Sequence, residues 1–231
     1  MLHRPPPMPA PLEWRCTFAC DLTWKAASRK PAQRVLVALR ARRCYISYMQ
    51  MPPNHTMTVD EFLPWAEAQA RGRYELHDGE VIAMSPERAA HWMVKGAVYV
   101  ALREAIRAAG FGCHAVPDGA TVRISQRTAF EPDALVYCGE KVARDSLEVP
   151  NPVIIVEVLS PGTQMTDLRD KLGGYFTVAS VRHYLIVDPD KQMVIHHARG
   201  TGDVLQTRLV SAGQIHLDPP GLGVAIESFF E

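Results

Sequence analysis

Two carboxylates occur beside or within apolar runs that are typical of β-strands. Glu157 lies inside 153–159, the most apolar stretch of the chain, and Asp133 lies between Pro132 and the apolar run 134–137. Burial of an ionised carboxylate costs several kcal/mol unless a cation compensates its charge. If that cation is a metal ion, the oxygen ligands suit Mg²⁺ or Mn²⁺. The alternative is structural, with Asp133 capping a turn and Glu157 paired with an arginine in the core, and the residues alone favour neither.

The hydrophobic pattern predicts the elements that position these carboxylates. Thr58 and Glu61 have the spacing of a capping box, which indicates a short first helix. The pair Asp78-Gly79 between two β-type runs predicts a hairpin. Ser85-Pro86 predicts the start of a second helix, whose apolar stripe ends at Gly110.

The remainder of the domain reads as strands around a third helix. Six strands are predicted, at about residues 113–116, 120–124, 133–137, 153–159, 183–187 and 192–197, and short β segments continue to Phe230. The most apolar of them suits a central strand that is covered on both faces. Apolar residues at helical spacing predict a helix at about 166–180. The order of helix, strands, helix and strand predicts an α/β fold with a mixed sheet.

Charge is distributed unevenly, although the whole chain has a net charge of zero. Residues 1–56 carry +7, so residues 57–231 carry −7. The first segment also contains Pro5-Pro6-Pro7 and shows no sustained period. We predict that residues 1–56 are a disordered or mis-assigned N-terminal extension, with a nucleic-acid-binding arm and a targeting segment as alternatives. Residues 57–231 are predicted to form one domain.

Composition and cysteine usage bear on the location of the protein. No apolar run approaches the roughly 18 to 20 residues that span a bilayer, so the chain is predicted to be soluble and not to interact with a membrane. The five cysteines are odd in number and scattered, which argues against a disulfide framework and for a reducing compartment. The predicted location is therefore cytoplasmic.

Five short motifs follow one another along the chain. They are Tyr-Glu-Leu-x-Asp-Gly-Glu at 74–80, Glu-Pro-Asp at 131–133, Ile-Val-Glu-Val-Leu-Ser-Pro at 155–161, Asp-Leu-x-x-Lys-Leu at 167–172 and His-Tyr-Leu-Ile-Val-Asp-Pro at 183–189. Together they resemble the Uma-two type bacterial proteins, a family within the PD-(D/E)xK restriction-endonuclease-like superfamily. The resemblance covers about residue 57 to the C-terminus. It implies a restriction-endonuclease-like mixed β-sheet core flanked by helices, and a metal-dependent endonuclease that hydrolyses phosphodiester bonds of DNA.

The resemblance also implies roles for individual residues. Pro132-Asp133 would be the PD element and Glu157 the (D/E) carboxylate. With the backbone carbonyl of Val158, these carboxylates would hold Mg²⁺ (or Mn²⁺), which would polarise the scissile phosphate and activate a water molecule. Glu75 is a weaker candidate for a further metal or water ligand. Without the resemblance, Glu75 is interpreted as a solvent-side strand residue.

The lysine of the (D/E)xK pattern is missing from its expected position. Residue 159, which shares a strand face with Glu157, is leucine. In the family the lysine is relocated to the following helix, which makes Lys171 the catalytic candidate. The helical angle places Lys171 on the flank of the apolar stripe. From there its long side chain either extends past the buried face and presents the ammonium group to the site, or it stays in solvent and pairs with Asp167.

The expected partner is DNA, and the charge of the domain limits how DNA could bind. A domain of −7 is a poor general binder of polyanions, so a local basic patch is needed, for which Arg123, Arg127 and Arg169 are the candidates. A homodimer is expected only by analogy with nucleases that cut duplexes. The second hypothesis is a catalytically silent interaction or regulatory module that keeps the nuclease fold; the missing strand lysine favours it and the two carboxylates disfavour it. A third is a metal-dependent phosphodiesterase acting on small nucleotides.

Overall fold

The computed structural model of the protein describes residues 55–160, 165–202 and 204–231. These residues all fall within one structural unit, Ile46–Glu231. Apart from His55 and Thr56, the predicted N-terminal extension lies outside the described residues, so its interpretation stays a prediction.

Three α-helices and twelve β-strands are formed by the described residues. The helices are α1 (Val59–Glu67), α2 (Ala89–Ala109) and α3 (Met165–Thr177). The strands are β1 (Tyr74–His77), β2 (Glu80–Ala83), β3 (Cys113–Pro117), β4 (Val122–Arg123), β5 (Ala129–Phe130), β6 (Ala134–Cys138), β7 (Pro152–Val158), β8 (His183–Asp188), β9 (Met193–Arg199), β10 (Leu205–Val210), β11 (Gln214–Leu217) and β12 (Leu222–Ala225). A 3₁₀ helix, Ile226–Phe229, follows the last strand.

The main sheet has six strands in the order β10-β9-β8-β7-β6-β3. The β7–β8 pair is parallel, whereas the other neighbouring pairs are antiparallel. The most apolar strand, β7, lies inside the sheet and is buried along almost its whole length. The prediction of a mixed sheet with a covered central strand is therefore confirmed.

Helices α2 and α3 cover opposite faces of this sheet. Val98 of α2 belongs to a core that contains Val156, whereas Tyr175 of α3 belongs to a second core that contains Ile155. Successive strand residues point to opposite faces, so these two cores lie on the two sides of β7. The result is a mixed β-sheet flanked by helices, as the sequence predicts.

A smaller sheet, in the order β2-β1-β5-β4, lies against α1. Its hairpin turns at Asp78 and Gly79. Their φ angles of 49° and 87° suit a type I′ turn, which connects the two strands of a hairpin through two residues. At the start of α1 the carboxylate of Glu61 accepts hydrogen bonds from the backbone N–H and the hydroxyl of Thr58. The hairpin and the first helix are thus as predicted.

Helix α2 begins later than the sequence predicts. Its N-cap is Arg88, which is extended with φ of −85° and ψ of 157°, so Ser85-Pro86 does not begin the helix. Glu87 is instead held by tertiary ion pairs with Arg73 and Lys95. Sequence rules for helix starts consider only the next few residues, whereas Arg73 and Lys95 are 14 and 8 positions away from Glu87.

Several other boundaries differ from the prediction by a few residues. The end of helix α2 is as predicted: Ala109 is its last residue, and Gly110 is its C-cap with the positive φ of 69° that a glycine readily adopts. Helix α3 ends at Thr177 rather than at residue 180. Strand β5 has two residues and was not predicted, and Asp133 immediately precedes β6 instead of beginning it.

A disulfide bond joins Cys113 to Cys138. The two cysteines face each other in the antiparallel β3–β6 pair, although 25 positions separate them in the sequence. The expectation that the cysteines form no disulfide framework is therefore wrong for this pair, because strand pairing brings scattered residues together. The predicted cytoplasmic location loses that support and stays a prediction. No helix in the described ranges is long and apolar enough to cross a membrane.

Candidate active site

Asp133 and Glu157 lie side by side where β6 and β7 meet. Ala134 pairs with Val156 in the antiparallel ladder, so Asp133 and Glu157 occupy the next facing positions. Oδ2 of Asp133 accepts a hydrogen bond from the backbone N–H of Val158 at 2.7 Å. Only 5% of Asp133 and 8% of Glu157 is exposed. The structure therefore brings the two predicted carboxylates together in a buried position.

Lys171 reaches these carboxylates from α3. Its Nζ lies 3.1 Å from Oε1 of Glu157 and 3.0 Å from Oε1 of Glu75. Tyr175, four residues later on the same helix face, donates its hydroxyl proton to Oε1 of Glu157 at 2.7 Å. Lys171 is buried, so it is not the solvated lysine of the alternative interpretation.

Glu75 connects the smaller sheet to this pair. Its Oε1 also accepts a hydrogen bond from the backbone N–H of Glu131 at 2.9 Å, and its Oε2 lies 3.2 Å from Nε2 of His77. Glu75 is buried, so its interpretation as a solvent-side strand residue is wrong. The pleat of β1 turns this side chain towards Lys171 instead of towards water.

A second buried lysine, Lys95 on α2, was missed by the sequence reasoning. Its Nζ lies 2.8 Å from Oδ1 of Asp133, 2.7 Å from Oε1 of Glu87 and 2.6 Å from Oδ2 of Asp118. Arg73 contacts the same two outer carboxylates, Glu87 and Asp118, at 3.2 and 2.7 Å. Asp133 is therefore anchored on both sides, by a lysine and by a backbone N–H.

The signal for Lys95 is present in the sequence. Lys95 lies three residues before Val98 and seven before Leu102, which places it on the buried stripe of α2. His91, one turn earlier, continues the same stripe and is also buried. Polar residues at core positions of a helix need buried partners, and this mismatch could have identified both residues.

His91 lies against the backbone that follows Glu157. Its Nε2 is 2.7 Å from the carbonyl oxygen of Val158 and 3.7 Å from Oδ2 of Asp133. Its Nδ1 is 3.3 Å from Oε2 of Glu87, but without the geometry of a hydrogen bond. Like Lys95, this histidine joins α2 to the ends of the central strands.

Burial and neighbouring charges shift the pKa values of these groups. Burial raises the pKa of Glu157 to about 8; Lys171 opposes this shift, whereas Asp133 and Glu75 add to it. Burial alone would raise the pKa of Glu75, but its partners His77 and Lys171 outweigh burial, and the net pKa is lowered. Negative charge at Glu157 is thus incompletely compensated by the protein.

A cavity of about 500 Å³ opens over these groups. Its lining combines apolar residues such as Ile82, Met84 and Leu168 with a polar set and one strand end: Glu75, His77, Glu87, Arg88, His91, Asp133, Glu157, Val158 and Lys171. Every predicted catalytic and metal-ligating residue therefore borders one cavity, with two histidines and an arginine that the sequence reasoning did not single out.

The three arginines predicted to bind DNA do not line this cavity. Arg123 donates hydrogen bonds to Glu148 at 2.7 and 2.8 Å and to Asp60 at 2.7 Å, and its hydrogen bonds to Glu148 are the main cause of its raised pKa. Arg127 donates to the backbone carbonyl of Asp78. Arg169 is exposed on α3. The structure does not gather them around the carboxylates.

Comparison with known proteins bears on this arrangement. The Uma2 family, described as "Putative restriction endonuclease", matches residues 59–227, which include every acidic residue that borders the cavity. The chain belongs to the Uma2 family. The resemblance found in the five motifs is thereby confirmed.

Two individual proteins are similar to this Uma2 chain. The uncharacterized protein slr1290 of Synechocystis sp. (strain ATCC 27184 / PCC 6803 / Kazusa) is 24% identical over 187 residues, which cover 80% of this chain and 97% of that protein. A crystal structure from Anabaena variabilis ATCC 29413, described as a "putative nuclease belonging to DUF820", has a TM-score of 0.60 and 16% identity. It covers 75% of this chain and 97% of its own. This likeness shows that the Uma2 chain has the predicted restriction-endonuclease-like fold.

The donor atoms of the site suit a hard divalent cation. Asp133, Glu157 and the Val158 carbonyl offer oxygen atoms beside one cavity, and Mg²⁺ and Mn²⁺ prefer such ligands. The raised pKa of Glu157 indicates that a further positive charge would stabilise its ionised form. Within the described ranges no three His, Cys, Asp or Glu side chains converge as a metal group. Asp133, Glu157 and the Val158 carbonyl include only two such side chains, so they do not count as a group of three.

Proposed function

We propose that this chain is a metal-dependent DNA endonuclease that hydrolyses phosphodiester bonds. The observation that carries the proposal is that Asp133 and Glu157 face each other beside one cavity, with Lys171 contacting Glu157 from α3. The description of the Uma2 family as a putative restriction endonuclease, and that of the structural neighbour from Anabaena variabilis as a putative nuclease, support nuclease activity in general.

Asp133, Glu157 and the Val158 carbonyl would hold Mg²⁺ or Mn²⁺, and Glu75 would act on a water molecule instead of on the ion. When bound, the ion polarises the scissile phosphate and lowers the pKa of a water molecule. Lys95 and the Val158 N–H hold the carboxylate of Asp133 in one orientation, which reduces the reorganisation needed when the ion binds.

Lys171 supplies the positive charge that the strand lacks. Its ammonium group is held between Glu75 and Glu157 at the border of the cavity. There it orients the water or stabilises the charge that develops on phosphorus. The Tyr175 hydroxyl fixes Oε1 of Glu157 and so keeps that carboxylate beside the ammonium group.

DNA would approach the open side of the cavity. Arg88 at its border and the exposed Arg169 on α3 are available to phosphate groups. Arg123 and Arg127 have protein partners and would contribute only by exchanging them. A homodimer would place two such sites on one duplex, and membrane binding is not part of the proposal.

A catalytically silent interaction module is the second candidate, and one observation favours it. The two carboxylates already have lysine partners, Lys95 for Asp133 and Lys171 for Glu157. Such ion pairs could hold the fold together without any metal ion. This candidate predicts that divalent ions do not change the stability of the protein.

The test is a cleavage assay with the full chain. Supercoiled, linear and single-stranded DNA are incubated with Mg²⁺, Mn²⁺ or EDTA, using wild type, Asp133→Asn, Glu157→Gln and the control Glu80→Gln, an exposed glutamate outside the cavity. We expect cleavage that needs the metal, persists in Glu80→Gln and is lost in both site variants, each with an unchanged circular dichroism spectrum. Equal cleavage by Glu157→Gln and wild type would overturn the proposal, and the absence of cleavage and of metal-induced stabilisation would favour the silent module.

A further inference from the structure

An apolar side chain projects beside the candidate site from the smaller sheet. Ile82 of β2 borders the cavity and is 44% exposed. The β1–β2 register pairs it with Glu75, and directly opposed residues project from the same face of a sheet. The next pair, Leu76 and Val81, points the other way, into the core that is formed with α1. The face that carries Glu75 towards the cavity therefore also carries Ile82.

The apolar lining of the cavity is not explained by packing of the core. Ile82 and Met84 both border the cavity and belong to none of the three apolar cores found within the described residues. Leu168 of α3, one helical turn before Lys171, borders it as well. Apolar side chains that are left at the border of a cavity are typical of ligand-binding grooves. The polar groups of the site thus have apolar neighbours on both the hairpin and α3.

The charges at the cavity limit how strongly it could bind phosphate groups alone. Among the described residues, four carboxylates border it, against two side chains with a permanent positive charge, Arg88 and Lys171. Lys171 already contacts Glu75 and Glu157. A bound divalent ion would balance these charges without leaving an excess of positive charge. Duplex binding depends mainly on the neutralisation of many phosphates, so this cavity suits a ligand that also makes apolar contacts.

A single nucleotide matches both parts of the lining. The cavity volume of about 500 Å³ lies within the range of roughly 300 to 1,000 Å³ that is usual for small-molecule sites. A nucleotide combines an anionic phosphate with a base whose faces pack on apolar and aromatic side chains. A base inside a duplex is paired and stacked, so it reaches a cavity wall only from a single strand or after it has flipped out.

We propose that the cavity receives one unpaired nucleotide of a DNA strand, with its base against Ile82 and Met84 and the adjoining phosphate at Asp133 and Glu157. This inference rests on the proposed function and specifies its substrate. Single-stranded DNA, or the unpaired part of a duplex, is bound and cut in preference to a fully paired duplex. Base contacts reduce the number of phosphate contacts that are needed, which suits a domain with a net charge of −7.

The test compares DNA probes that have the same phosphates but different bases. The full chain is titrated into a fluorescent thymidine strand of about 12 nucleotides, a strand of equal length with abasic sites at its centre, and a duplex of equal length. Ca²⁺, which also takes oxygen ligands, replaces Mg²⁺, and gels check that the probes stay intact. We expect the thymidine strand to bind at least about 10-fold more tightly than the duplex and about 5-fold more tightly than the abasic strand.

The variant Ile82→Asn removes the apolar contact from an exposed position on the edge strand β2. We expect it to bind the thymidine strand about 5 to 10-fold more weakly and the abasic strand as wild type does. The matched control is Leu209→Asn, an apolar residue that is 69% exposed on β10 and does not line the cavity; it should match wild type on every probe. Circular dichroism checks folding. Met84→Gln, which keeps the length of the side chain but not its apolar character, replaces Ile82→Asn if that variant does not fold.

The outcomes separate this inference from the proposed function, because cleavage is measured independently. Equal binding of the thymidine and abasic strands, tighter binding of the duplex, or no binding of any probe would overturn the nucleotide site and leave the result of the cleavage assay unaffected. Base-dependent binding without metal-dependent cleavage would support the nucleotide site and count against the nuclease. Cleavage that is faster on the single strand than on the duplex, and slower in Ile82→Asn, would support both.

Discussion

Nζ of Lys171 lies 3.1 Å from Oε1 of Glu157, although the residue that follows Glu157 by two positions on its strand face is a leucine. The ammonium group that the strand does not supply therefore comes from α3, 14 positions further along the chain. Tyr175, on the same face of α3, donates a hydrogen bond to the same oxygen atom. Position in space, and not position in the motif, decides which lysine can serve this carboxylate.

Replacement of Lys171 by methionine should abolish most of the cleavage activity. The change removes the charge beside Glu157, and loss of one such stabilising group costs on the order of 100 to 1,000-fold in rate. It also removes a partner that lowers the pKa of Glu157. Single-turnover cleavage with Mg²⁺ and Mn²⁺ measures the effect, with Lys191→Met, whose side chain is 72% exposed, as the control. A rate equal to that of wild type would exclude a catalytic role for Lys171.

Replacement of Lys95 by methionine should destabilise the fold strongly. Asp133, Glu87 and Asp118 would lose a shared cation, and removal of one partner from a buried ion pair costs about 3 to 5 kcal/mol. Lys191→Met removes a surface pair with Asp188 and should cost about 0 to 1 kcal/mol. Urea denaturation at neutral pH compares the two variants. Equal losses of unfolding free energy in the two variants would mean that the buried network contributes no more to stability than a surface ion pair.

The buried histidine pair should make stability depend on pH. Burial first, and then the charges of His183, Arg208 and His197, lower the pKa of His196 to about 4, from 6.5 in an exposed histidine. As pH falls, the unfolded chain binds a proton near pH 6.5, whereas the folded protein does so only near pH 4. The stabilising contribution of neutral His196 is therefore complete above about pH 6.5 and is lost as pH falls towards 4.

The variant His196→Gln removes this titration. Between pH 7.5 and pH 4.5 the free energy of unfolding of wild type should fall, relative to that of the variant, by on the order of 2 kcal/mol. Urea denaturation at several pH values gives the difference. A difference between the two proteins that does not change with pH would contradict the prediction.

The predicted arginines should differ in their effects on DNA binding. Arg169→Ala should weaken binding and reduce its salt dependence by about one counterion, because the guanidinium group is 78% exposed and its contact with the neighbouring Asp170 is long, at 3.4 Å. Arg123→Ala should instead lower stability, because it breaks contacts with Glu148 and Asp60. Binding isotherms at several salt concentrations and urea denaturation separate these effects. Weaker binding by Arg123→Ala than by Arg169→Ala would reverse the assignment.

Short-range patterns were enough to predict most of the fold. The Asp78-Gly79 hairpin, the start of α1 at Thr58 and the end of α2 at Gly110 follow from turn and cap preferences that act within a few residues. The central position of β7 follows from its unbroken apolar run, which needs cover on both faces. The start of α2 was predicted wrongly because distant charges hold Glu87.

The sequence also identified Asp133, Glu157 and Lys171 as residues that could act together, through motif order and through the cost of burying a carboxylate. Only the tertiary structure decided how their charges are shared. Lys95 and His91 join the site because α2 packs against the sheet, and Cys113 meets Cys138 because their strands pair. Ion pairs, metal ligands and disulfides depend on distances between atoms that are far apart along the chain. Periodicity fixes which face of an element is buried, but packing between elements fixes which groups meet there.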